Sequence, residues 1–158
     1  PASAADALAA AFDPARLGHG TTRLDPALLA SLGRDHLALL GDDALAALVL
    51  GRLDDADAAA VRALAPGLGD ACSAVEAAEL VLGVLERPGP LAATDADRAA
   101  AEALLAVATT DLDAIGAGKR AIRRVLTGSD HGVPLPYVLA ALPRDEVIAR
   151  ARAVLDQP

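Results

Sequence analysis

Four cations crowd into six residues of one segment, Lys119, Arg120, Arg123 and Arg124, interleaved with Ala121, Ile122, Val125 and Leu126. At 100° per residue the apolar side chains fall in one arc of a helix and the cations in the opposite arc, so an apolar seam would meet a core while a basic stripe faces outward. The stripe has two readings. It is a solvated helix face whose cations suit the helix dipole, or it is a surface that contacts phosphates. Arg150 and Arg152, on a later helical segment, would extend such a surface.

The distribution of charge favours the second reading. The chain is acidic, with 14 Lys and Arg against 22 Asp and Glu and a net charge of −8. Residues 1–117 carry 7 basic and 18 acidic side chains, net −11, and residues 118–158 carry 7 and 4, net +3. A polyanion is repelled by the first part and attracted by the last.

Groupings for catalysis are sparse. His19, His36 and His131 are far apart, and none has a second His or Cys at metal-ligand spacing. The single cysteine, Cys72, excludes an internal disulfide and a multi-cysteine metal site. Ser129-Asp130-His131 places three triad residue types in a row, but a triad is a matter of geometry, and adjacency reads as a polar loop. Asp54, Asp55 and Asp57 precede a helical stretch, where carboxylates complement a helix dipole, and read as solvated caps. Leu17-Gly18-His19-Gly20 only superficially resembles a nucleotide-binding loop. No catalysis, cofactor or metal is expected.

The elements that must carry the basic stripe are helices. Among 158 residues there are 41 Ala and 27 Leu, against 14 Val and Ile together, one Phe, one Tyr and neither Trp nor Met. That is rich in helix formers and too poor in β-branched and aromatic residues for a sheet. The expected fold is all-α, eight or nine helices in a two-layer bundle. Asp25-Pro26 caps a helix that runs to Leu40, and Gly41 stops it; a second helix runs to about Leu53 and a short one covers 56–64. Ser73 and Glu76 have capping-box spacing and open a helix to Arg87. Further helices are expected at 94–108, 111–117, 119–126, 136–142 and 144–155.

Pro88-Gly89-Pro90 divides an N-terminal helical subdomain, 1–87, from a C-terminal one, 91–158, that holds the basic helix. No apolar run reaches the ~18 residues that span a bilayer, and Pro1 to Phe12 has no basic stretch ahead of its apolar residues, so neither a membrane span nor a signal peptide is expected. The expected compartment is the cytoplasm.

Two stretches carry a family resemblance. Ala121-Ile122-Arg123-Arg124-Val125-Leu126-Thr127-Gly128, then Gly132-Val133-Pro134-Leu135 and a last helix through Glu146-Val147-Ile148-Ala149-Arg150-Ala151-Arg152, resembles the C-terminal anticodon-binding end of bacterial glutamyl-tRNA synthetases. That end reads L-R-x-A-L-T-G, a short loop, G-P-x-L and a helix with an E-x-x-x-x-R rhythm. Phe12-Asp13-Pro14-Ala15-Arg16-Leu17, with Arg23-Leu24-Asp25 and Leu28 through Leu37, is similar to the segment that joins the family's catalytic part to its anticodon-binding helices. The two lie in family order, and residues 42–110 between them match only in helical character. Arg124 and Val125 depart from the pattern, standing where the family has apolar and small residues.

The resemblance implies an anticodon-binding helix cage and a tRNA, that for glutamate, as partner. The family's H-I-G-H and K-M-S-K-S type motifs would lie before Phe12, where eleven residues stand. The expectation is therefore a noncatalytic tRNA-binding or tRNA-delivery module: a free-standing relative, a detached part of a split enzyme, or a truncated form. Lys119, Arg120, Arg123 and Arg124 would contact phosphates, and Arg150 and Arg152 would extend them. The alternative is a degenerate relative whose acidic helices dock on and regulate a partner enzyme. Phe12 and Tyr137 are the only Phe, Tyr or Trp rings that could stack on an unpaired base, so anticodon discrimination is expected to be weak, and Tyr137 reads more simply as a packing residue.

Overall fold

The computed structural model describes residues 25–107, 115 and 117–157. Within them the protein is all-α, with no strand: α1 Pro26–Ala38, α2 Asp42–Leu50, α3 Ala58–Leu64 with a 3-10 turn Ala65–Gly67, α4 Ala74–Leu85, α5 Asp95–Ala106, α6 Lys119–Thr127, α7 Leu135–Ala141 and α8 Arg144–Leu155. The expected helix at 111–117 falls almost wholly outside these residues, as does the Phe12 to Leu24 stretch of the resemblance.

Short polar side chains start four of the eight described α-helices, because an oxygen at the N-cap satisfies one of the orphan N–H groups of the first turn. Asp25 accepts from Ala27 N at 2.9 Å, and Asp57 from Ala59 N at 2.8 Å. Of the three carboxylates expected as caps ahead of α3, Asp57 is the N-cap, whereas Asp55 turns the preceding chain at φ +57°. Thr94 and Asp97 form a reciprocal capping box. Ser73 accepts from Glu76 N at 3.1 Å, but the Glu76 carboxylate overshoots the N-cap and accepts from Cys72 N at 2.7 Å, so the expected box closes one residue early.

α2, α3, the 3-10 turn and α4 pack on one another, and α5 packs on α6 and α8. α7 reaches back to α3, and α4 touches α6, so the buried residues form one cluster from Leu37 to Val154 across Pro88-Gly89-Pro90. α5 and α8 share the most extensive contact, and both bury alanines, Ala100, Ala101 and Ala151, small enough to let helix axes approach. Arg144 ties the end of α5 to the start of α8: its Nη2 donates to the Leu104 carbonyl at 2.8 Å and also to that of Val107.

Tyr137 is a packing residue. A Cβ at Gly67 would lie 2.6 Å from its ring and 2.7 Å from Val133 Cγ1, so only glycine lets α7 seat on the 3-10 turn. α1 packs least: it buries Leu37 alone, while Leu28 is 58%, Leu29 47% and Leu32 55% exposed. None of the described helices is long and apolar enough to cross a membrane.

Candidate nucleic-acid interface

α6 has the amphipathic form its sequence dictates, with Ala121, Ile122, Val125 and Leu126 buried and the cations outside the core. Its ends set the electrostatics. Gly118, the N-cap, has no side chain to satisfy the first N–H groups, and the first turn holds Lys119 and Arg120, both exposed, with no acid. Only Arg124 lies in the last turn. Two of the cations therefore stand at the positive end of the dipole, where each opposes it, and the reading of the stripe as a dipole-matched solvated face fails for them. Positive charge beside unsatisfied N–H groups attracts anions.

The structure divides the remaining arginines. Arg124 turns to α5, where Nε donates to Asp97 Oδ1 at 3.1 Å and Nη2 to the Ala92 carbonyl at 3.4 Å. Asp97 is 1% exposed. Burial pushes its carboxyl up, but the Thr94 N–H and hydroxyl together with Arg124 outweigh that, and the group sits below its ordinary range. Arg124 thus belongs to a structural pair.

Arg150 is a correction. Expected as an extension of the basic surface, it is 2% exposed. Nη1 donates to the Val84 carbonyl at 2.8 Å and to that of Leu126, Nη2 to the Leu85 carbonyl at 3.0 Å, and Nε to Glu146 Oε1 at 2.8 Å. These carbonyls lie in the last turns of α4 and α6, where helix geometry leaves C=O groups without partners. One guanidinium closes both ends, and its buried donors are committed to protein acceptors. Glu146 also receives Arg87 at 2.6 Å; that bond and the one from Arg150 outweigh its burial and hold its carboxyl below the ordinary range. Arg152 stands exposed in the last turn of α8.

Arg123 takes the other side of α6. Its Nη1 donates to the Gly132 carbonyl at 2.9 Å, and the side chain lines a cleft of about 360 Å³. The far wall is α4, through Glu79, Leu80 and Gly83, and the rim is the loop after α6, through Ser129 and His131. Gly128, left-handed at φ +76°, ends α6, and the Thr127 hydroxyl donates to the Arg123 carbonyl at 3.0 Å while accepting from Ser129 N at 3.4 Å, which fixes the rim to the helix. The walls come from segments some 45 residues apart in sequence, so periodicity within either one gives no sign of the cleft.

The rim is not a hydrolytic relay. Ser129 Oγ and Asp130 Oδ1 both lie on the same ring nitrogen, His131 Nδ1, at 3.2 and 2.9 Å, whereas a triad needs the carboxylate on one nitrogen and the hydroxyl on the other. Cys72 is no better placed as a nucleophile. Its hydrogen bond to the Glu76 carboxylate pushes the thiol up, away from the reactive thiolate. Among the described residues no three His, Cys, Asp or Glu side chains group as a metal site. No family model matches the chain, and neither a curated protein nor a solved structure does.

Proposed function

We propose that this chain is a noncatalytic RNA-binding module whose ligand is a tRNA, that for glutamate by sequence resemblance. Lys119 and Arg120 contact phosphates at the open end of α6, and the cleft beside Arg123 receives an unpaired base. The observation that carries this reading is the placement of Arg123. Sequence-specific RNA recognition uses unpaired bases stacked on aromatic rings or on guanidinium planes. The cleft has no Phe, Tyr or Trp, its one imidazole, His131, stands on the rim bonded to Ser129 and Asp130, and Tyr137 is spent on packing. Arg123, tied at one nitrogen to Gly132, supplies a positioned plane. Phosphate contacts alone would hold an RNA without reading it.

The test is fluorescence-anisotropy titration of the full chain at low salt with the glutamate tRNA and with duplex DNA of equal length. The tRNA binds and the duplex binds more weakly, because the acidic helices repel a polyanion that has no loop to insert. Arg123→Gln weakens tRNA and leaves the duplex unchanged. Undetectable tRNA binding, or equal binding of the duplex, defeats the reading.

A second reading has its own observation. Leu28, Leu29 and Leu32 lie on the outer arc of α1, away from its buried Leu37, and Leu39, the C-cap just beyond the helix, is 85% exposed. A helix with hydrocarbon on both sides suits a module that docks on a partner protein, and a chain carrying a synthetase catalytic domain would be such a partner. Leu28→Ser with Leu32→Ser would then abolish association with that domain while leaving tRNA affinity unchanged.

A further inference from the structure

We infer, on the RNA-binding reading above, that the cleft also selects which base it takes: Gly83 sets its depth, and Glu79 accepts a hydrogen bond from a base bearing an exocyclic amino group. Gly83 lies inside α4, where glycine costs roughly 1 kcal/mol relative to alanine. Packing gives no reason for that cost. A Cβ built there meets nothing within 4 Å, and the residue is exposed on the wall of the cleft. The consequence of the missing side chain is open space facing Arg123. Any longer side chain would occupy it without disturbing the core.

Glu79 stands one turn before Gly83 on the same wall. It is exposed and has no hydrogen bond or ion pair among the described residues, in contrast to Glu76, whose carboxylate is committed to Cys72. A carboxylate in an RNA-binding cleft repels phosphates and weakens general affinity. It discriminates, because a carboxylate can only accept. Cytosine, adenine and guanine offer amino hydrogens to it, the cytosine N4 pairing being a standard one, whereas uracil carries a carbonyl oxygen in the place of that amino group. With the base stacked on the Arg123 guanidinium, the Glu79 carboxylate on the facing wall therefore favours a base that carries an amino donor.

The experiment compares short RNA hairpins, identical except for C or U at one loop position, by anisotropy at low salt. The native chain prefers C at the read position about tenfold, the value of one hydrogen bond to a charged group. Glu79→Ala brings the ratio of C to U close to one by weakening the C hairpin, while the U hairpin binds at least as tightly as to the native chain. Gly83→Leu weakens every hairpin about tenfold, leaves duplex RNA unaffected and does not lower the melting temperature, since it improves helix propensity. A ratio of one in the native chain, or a ratio that survives Glu79→Ala, overturns the inference and leaves RNA binding standing. Hairpin affinity unchanged by Gly83→Leu removes the base from the cleft. If no hairpin binds, the RNA-binding reading itself falls.

Discussion

Helices α8 and α1 invert the usual placement of charge and hydrocarbon. On α8 the guanidinium of Arg150 is buried among the ends of α4 and α6; on α1 three leucines, Leu28, Leu29 and Leu32, are about half exposed or more. Residue type does not decide this. A buried charge is tolerated where every donor finds an acceptor, and Arg150 meets three helix-terminal carbonyls and a carboxylate. A leucine is buried only where a surface faces it, and among the described helices none packs on the outer arc of α1. The same rule separates the basic residues of the candidate interface. Arg124 and Arg150 have structural partners, whereas Lys119, Arg120 and Arg152 stand at the surface.

The contrast is broken most severely at Arg150. Arg150→Met leaves the carbonyls of Val84, Leu85 and Leu126 without donors and should cost about 3–5 kcal/mol, read as a fall of the denaturant midpoint with an unchanged slope. A change under about 1 kcal/mol would mean that the guanidinium is dispensable. Because Arg150 joins α4, α6 and α8, the native chain should also unfold in a single transition. Two resolved transitions would show that the helices before and after Pro88-Gly89-Pro90 fold apart.

Asp97 comes next. Asp97→Ala removes the Thr94 capping box and leaves Arg124 without its carboxylate, an expected loss of about 2–3 kcal/mol. Asp97 and Glu146 are both held below their ordinary ranges in the folded chain. Their contribution is therefore complete above the unfolded values near pH ~4 and is lost as pH falls through the lower folded values. Urea midpoints should stay level from neutral pH to about 5 and then drop. Asp97→Asn should flatten part of that acid limb, and an identical pH profile in the variant would contradict the assignment.

The smallest effect is expected on α1. Leu28→Ser with Leu32→Ser should change stability by no more than about 0.5 kcal/mol per site, whereas Leu64→Ala, in the core, should cost about 2–5 kcal/mol. A large loss from the first pair would mean that the outer arc is covered in the folded protein.

Helix identity was legible in the sequence wherever a local rule sets it. The Asp25-Pro26 start and the helices expected at 94–108 and 144–155 stand where short-range capping and periodicity put them, because their partners lie within one turn. Ends were less legible: α1 stops at Ala38 and α4 at Leu85, a turn or less before the apolar pattern gives out. The four-cation stripe was legible as a stripe, but its division was not. Asp97 lies 27 residues from Arg124, and Val84 lies 66 from Arg150, and pairings over such distances leave no trace in helical periodicity. Gly83 was the one local sign of the cleft, a glycine inside a helix with no turn to make.

The central claim is that three cations of α6, Lys119, Arg120 and Arg123, face an RNA while Arg124 and Arg150 hold the fold. It is tested most directly by the salt dependence of glutamate tRNA binding. Two or three phosphate contacts predict a slope of log K against log salt of about −1.5 to −2.5. Lys119→Gln with Arg120→Gln should reduce its magnitude by about 1.4 to 1.8 with no change in melting temperature. An unchanged slope in that variant, or no binding by the native chain at low salt, would contradict the claim.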